Sequence, residues 1–174
     1  MSQSQTALLG VSQLIVWLLR LLNLLTGVLL VGMFIGSFLF EPLFLQVFAD
    51  KQPARIDPGL LLPTLRVTVA LTGPLIAAVH IMLSRLLAMI ETVRTGDPFV
   101  PENAVRMKTI AWCLLVTQLY SLVFGAMVAI MNAAGSSIDW KFSINGWLAV
   151  LLMFVLARVF EEGTRLRADL EAMI

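Results

Sequence analysis

The sequence predicts an all-α integral membrane protein: a bundle of four transmembrane helices whose last helix extends into the cytoplasm. Three observations predict it. The 174 residues are 59% hydrophobic and only 13% charged, about half the charged share of soluble domains. The mean hydropathy is +0.92. The apolar residues gather into four runs, with most of the prolines and charges between them. About 20 apolar residues cross a bilayer as a helix, so four crossings and their connections use the whole length as one membrane domain.

The first apolar run extends from about Leu14 to Phe48, broken by Arg20, Asn23, Glu41 and Pro42. At about 1.5 Å per residue it is longer than the hydrocarbon core. The first span is therefore placed at about Leu21 to Phe40, with Ala7 to Leu19 entering along the membrane surface or prolonging the helix. The first basic residue is Arg20, so the basic start of a secretory signal is missing and this helix is expected to be retained. Asp50 to Pro63, with Pro53, Pro58, Pro63 and Gly59, reads as a loop. The second span is placed at about Val67 to Ile90, kinked at Gly73-Pro74.

Residues 91–108 form a polar cytoplasmic loop. Asp97-Pro98 is a turn signal within it. Pro101 suits the first turn of a new helix, and Glu102 favours the positive end of its dipole. Arg106 and Lys108 lead into the third span, about Ile110 to Met131. A short loop, Asn132 to Ser143, precedes the fourth span at about Ile144 to Phe160. That span continues as the charged tail 161–174, whose Glu161/Arg165, Arg165/Asp169 and Arg167/Glu171 pairs have helical i,i+4 spacing.

Orientation follows from the basic residues. Eight (Arg20, Arg85, Arg94, Arg106, Lys108, Arg158, Arg165, Arg167) fall on the side of the termini and four (Lys51, Arg55, Arg66, Lys141) on the other. This asymmetry puts both termini in the cytoplasm. A net charge of +1 provides no field for direct nucleic-acid binding. Cys113 and His80 are the single cysteine and histidine, which leaves no set of metal ligands and no nucleophile pair. Phosphate-loop, dinucleotide, zinc-protease and serine-elbow motifs are absent. The expectation is therefore no enzyme and no cofactor.

Three groups of residues remain as candidates. His80, with Thr72 on its own helix and Gln118 and Ser121 on the next span, could line a polar path across the membrane. A neutral histidine bonded to a neighbouring helix is the plainer account. Gly32 and Gly36 form a GxxxG pair that permits close helix approach, either within the chain or across a homodimer. The third group is charged and lies on the cytoplasmic side: Arg94, Gly96, Asp97, Pro98, Phe99, Pro101, Glu102, Asn103 and Arg106 in the loop, and Glu161, Glu162, Gly163 and Asp169 in the tail. Arg94 and Arg106 are expected to pair with Glu161, Glu162 or acids of a partner, making a platform where loop and tail meet.

Gly96-Asp97-Pro98-Phe99-Val100-Pro101-Glu102-Asn103 with Arg106, and Val159-Phe160-Glu161-Glu162-Gly163 with Leu166 and Asp169-Leu170, lie between four apolar runs. This arrangement resembles the bacterial membrane family called domain of unknown function 2975. The resemblance covers the chain from about the first span to its end. It implies a small four-helix membrane protein without assigned chemistry. Because some members are encoded beside helix-turn-helix regulators, it also implies a cytoplasmic regulator as partner. Tails of the family often carry a Thr after the acidic residues, and Met173 stands near that place here.

The reading that results is a non-enzymatic regulatory or interaction protein, whose surroundings are the lipid bilayer and whose partner is a cytoplasmic protein. The competing reading is a small transporter or channel built around His80.

Overall fold

The computed structural model describes residues 3–49, 58–133 and 139–173. Every regular element among them is helical: α1 Gln3–Leu39, α2 Glu41–Ala49, α3 Pro58–Arg94, α4 Pro101–Ala133 and α5 Ile144–Glu171. Four of these are long and apolar enough to cross a membrane, over Leu8–Leu39, Leu62–Arg94, Pro101–Ile130 and Ile144–Leu170. Few of their residues are buried by the protein itself; in the most apolar stretch of α1 the share is 6%. Leu22, Leu25, Val28, Leu29 and Ile35 are each more than half exposed. Each such side chain gains roughly 1.5–3 kcal/mol on leaving water, and here the bilayer provides that gain. This is a multi-pass membrane protein.

The helices outrun the spans expected from hydropathy. Ala7 to Leu19 are part of one continuous α1, so the prolonged-helix alternative holds for them. The expected Asp50–Pro63 loop is shorter than the prolines suggest. Positions 50–57 lie outside the described residues, but α3 begins at Pro58 and contains Pro63. Proline fixes a φ that suits a helix and lacks only the N–H. Pro58 stands where no donor is needed, and Pro63 withholds a bond from one carbonyl, that of Gly59, near the helix start. Pro74 is likewise inside α3. The 91–108 loop contracts to residues 95–100, because α3 runs to Arg94 and α4 starts at Pro101. Pro42 ends α1 in the same way: it cannot donate to Phe38, and a separate short α2 follows, although Phe40 and Phe44 keep helical bonds to Gly36 and Phe40. The tail continues α5 as one helix, capped at its start by Ser143, whose hydroxyl accepts from the Gly146 amide at 3.2 Å.

The chain divides into two compact units, Leu21–Ala77 and the remainder, Met1–Arg20 with Ala78–Ile174. Within the first, Arg66 is held by four contacts. It donates to the Ser37 hydroxyl (3.2 Å) and carbonyl (2.6 Å), pairs with Glu41 at 3.1 Å, and lies 3.9 Å over the Phe38 ring. These contacts satisfy a cation among apolar helices.

In the second unit α4 packs along α5. Ala104, Ile110, Ala111, Cys113, Val128, Val150 and Ala157 are buried, and Trp112 meets Phe154 edge-on at 5.4 Å. Cys113 is a free, buried thiol, consistent with its reading as a small hydrophobe. Gly125 is needed for space: an added Cβ would sit 2.5 Å from the Trp140 indole. Gly125→Ala should therefore lower stability by about 1 kcal/mol, overpacking outweighing the gain in helix propensity. Thermal unfolding in detergent should show that cost vanishing in a Trp140→Ala background.

Candidate functional site

The segment between α3 and α4 is a tight, fully bonded turn. Gly96 has φ of +92°, a conformation that favours glycine. Its amide donates to the Val93 carbonyl at 3.2 Å and the Asp97 amide to Thr92 at 3.1 Å. These are the two bonds of a Schellman helix end. Pro98 follows, where the helix cannot resume.

Asn103, two residues into α4, ties the turn down. It is 1% exposed. Its amide nitrogen donates to the Thr92 hydroxyl (2.7 Å) and the Pro98 carbonyl (2.9 Å). Its oxygen accepts from Arg106 at 2.8 Å, and Arg106 also reaches the Ala88 carbonyl at 3.2 Å. One side chain thus connects the end of α3, the turn and the first turns of α4. Arg106 is committed to these bonds rather than to Glu161 or Glu162 as expected, because Asn103 sits one helical turn before it. Arg94 pairs with Glu91 on its own helix at 3.3 Å; three-residue spacing put that partner closer than the tail.

The turn meets α5 through two contacts. Phe99 stacks on Phe160, centroids 5.4 Å apart and planes 22° from parallel. Arg167 pairs with Asp97 at 2.5 Å, both side chains 46% exposed. Gly163 faces the Phe99 ring, but a methyl there would be an ordinary 3.8 Å contact. Pro101 and Glu102 are exposed at the start of α4. Glu161 pairs with Arg158 (3.1 Å) and Glu162 with Arg165 (3.9 Å). This is three-residue spacing where the sequence suggests four, and Asp169 is exposed.

Sequence reasoning missed Arg167, Phe160 and Thr92 as parts of this site. A signal for two of them was present: Phe160, Gly163, Thr164 and Arg167 recur at helical spacing on one face of α5.

The well-matched region coincides with these elements. Residues 65–174, well over half of the chain, match the family described as protein of unknown function (DUF2975). The chain belongs to this family. No curated protein and no solved structure matches it. In this DUF2975 protein the matched stretch includes α4, α5 and the turn that binds to them.

Among the described residues the intramembrane polar hydroxyls bond within their own helices. The Thr72 hydroxyl donates to Thr68 of its own helix at 2.8 Å, and Ser84 to the His80 carbonyl at 2.7 Å. His80 Nδ1 is buried without a partner among the described residues. The Gln118 amide lies against Gly146, in space that any larger residue there would occupy. No hydrogen bond joins His80, Gln118 and Ser121 among the described residues. A methyl at Gly32 would meet nothing within 4 Å, and one at Gly36 would touch only the Phe44 ring, at 3.5 Å.

Proposed function

We propose that this protein is a non-enzymatic regulator of the bacterial inner membrane, with both termini cytoplasmic, that binds a soluble cytoplasmic protein through the 95–103 turn and the tail half of α5. A helix-turn-helix transcription regulator is the partner that fits the family context. The observation that carries the reading is a turn fixed from beneath by Asn103 while its outer side chains stay accessible: Asp97 and Phe99 are nearly half exposed. Rigid presentation of accessible anchors lowers the entropic cost of association. In the tail half of α5, Leu166 and Leu170 are exposed at the i, i+4 spacing of a helix that lies in a partner's groove.

Affinity capture of the detergent-solubilised chain tests this. Asp97→Ala/Glu162→Ala should cost less than about 1 kcal/mol of stability, because both acids sit in exposed pairs. The double variant should nevertheless lose a soluble regulator that wild type retains. Unchanged capture by the double variant would remove the platform from consideration.

A second reading, a small transporter or channel, rests on the unpartnered His80 Nδ1. It requires proteoliposome flux that His80→Phe abolishes.

A further inference from the structure

A groove of about 400 Å³ lies between the first turns of α4 and the middle of α5, lined by Pro101, Ala104, Val105, Lys108, Phe154, Ala157, Arg158, Glu161 and Thr164. Neither the turn nor the Asp97–Arg167 pair uses it. Its floor is apolar, with Ala104 and Ala157 buried and Phe154 held by Trp112. Its rim carries Lys108 and Arg158.

Three features of the groove bear on what fills it. The first is depth. Past Lys108, α4 has no charged residue to its end, and before Arg158, α5 has none back to its start. The two cations therefore mark the level where hydrocarbon gives way to headgroups. The second is charge. Lys108 has no ion pair or hydrogen bond among the described residues. Among the described residues Arg158 pairs with Glu161, three residues on and largely exposed, a bond weak enough to yield. The third is the exit. Trp112, one turn past Lys108 towards the uncharged stretch of α4, is more than half exposed, giving an acyl chain an apolar track from the groove towards the membrane centre.

We propose that this groove binds one anionic phospholipid, its headgroup in the groove beside Val105, its phosphate between Lys108 and Arg158, and one acyl chain running past Trp112. Basic pockets between membrane helices at headgroup depth are suited to such lipids. A zwitterionic lipid would bring its own cation to a rim where Lys108 and Arg158 already outnumber Glu161.

The test uses the purified, delipidated full chain in neutral detergent and counts bound lipid by native mass spectrometry. The probes are dioleoyl-phosphatidylglycerol, dioleoyl-phosphatidylcholine and inorganic phosphate. Wild type should retain phosphatidylglycerol at least tenfold over phosphatidylcholine, and phosphate should not displace it. Lys108→Gln, an exposed change that leaves packing alone, should reduce that preference about fivefold, the weight of one basic side chain near an anionic lipid. Val105→Trp, which keeps both cations but fills the groove, should abolish it. Arg85→Gln, an equal loss of charge elsewhere on the chain, should leave it unchanged. Equal retention of the two lipids overturns the proposal. So does displacement by phosphate alone, retention by Val105→Trp, or an Arg85→Gln loss as large as that of Lys108→Gln, which would mean diffuse attraction to the charged ends.

Discussion

Asn103→Ala should destabilise the protein by about 3 kcal/mol, the largest effect of any single change in the turn. The side chain makes three hydrogen bonds, one of them to a guanidinium. Neutral bonds contribute about 1 kcal/mol each and charged ones about 1.5–3. The residue is fully buried, so water does not replace them cheaply. Arg106 would keep the Ala88 carbonyl and Thr92 would keep Met89, which holds the total below the simple sum. Equilibrium unfolding in mixed micelles measures the loss. Asn103→Leu separates the causes: it fills the space but restores no bond. If Leu returns most of the stability, Asn103 acts by volume and the hydrogen-bond account fails.

The contrast with Asp97 shows why proximity to the turn is a poor guide to stability. The Asp97–Arg167 pair is shorter than any bond Asn103 makes, yet it is half exposed and screened. Asn103 holds the turn in place, whereas Asp97 is displayed by it.

The sequence made the architecture legible because hydropathy at bilayer length is a strong, additive signal. It also made the turn legible, since Gly96, Pro98 and Pro101 each act on the backbone within a residue or two. It was less informative about helix ends. Pro58 and Pro63 were read as loop formers, but near a helix start a missing donor costs little. It did not reveal which charges pair. The side of the membrane alone suggests Glu161, Glu162 or acids of a partner for Arg94 and Arg106. Partner choice was decided by finer geometry: a carboxylate three residues away for Arg94, and a buried amide one turn away for Arg106. Arg167 reaches Asp97 across 70 residues of chain, a contact that the packing of α4 and its turn on α5 brings about.

Gly96→Val should cost about 2 kcal/mol, with Gly96→Ala somewhat less and Gly96→Asn least. Nothing lies within 4 Å of a Cβ built at Gly96, so substitution meets no clash. The whole penalty belongs to the positive φ, about 1–2 kcal/mol for an L-residue and more for a β-branched one. Asparagine tolerates this region better than other side chains, so its position in the order identifies the cause. If Asn destabilises as much as Val, the penalty comes from something other than the backbone. The functional consequence is separable from the energetic one. Without the Schellman bonds from Gly96 and Asp97, Asp97 and Phe99 leave their places opposite Arg167 and Phe160. Gly96→Val should then lose the soluble partner at temperatures where the protein is still folded, although no side chain that touches the partner has changed. Capture that survives Gly96→Val, in a protein whose melting temperature has fallen as expected, would mean that the partner reads the tail helix alone.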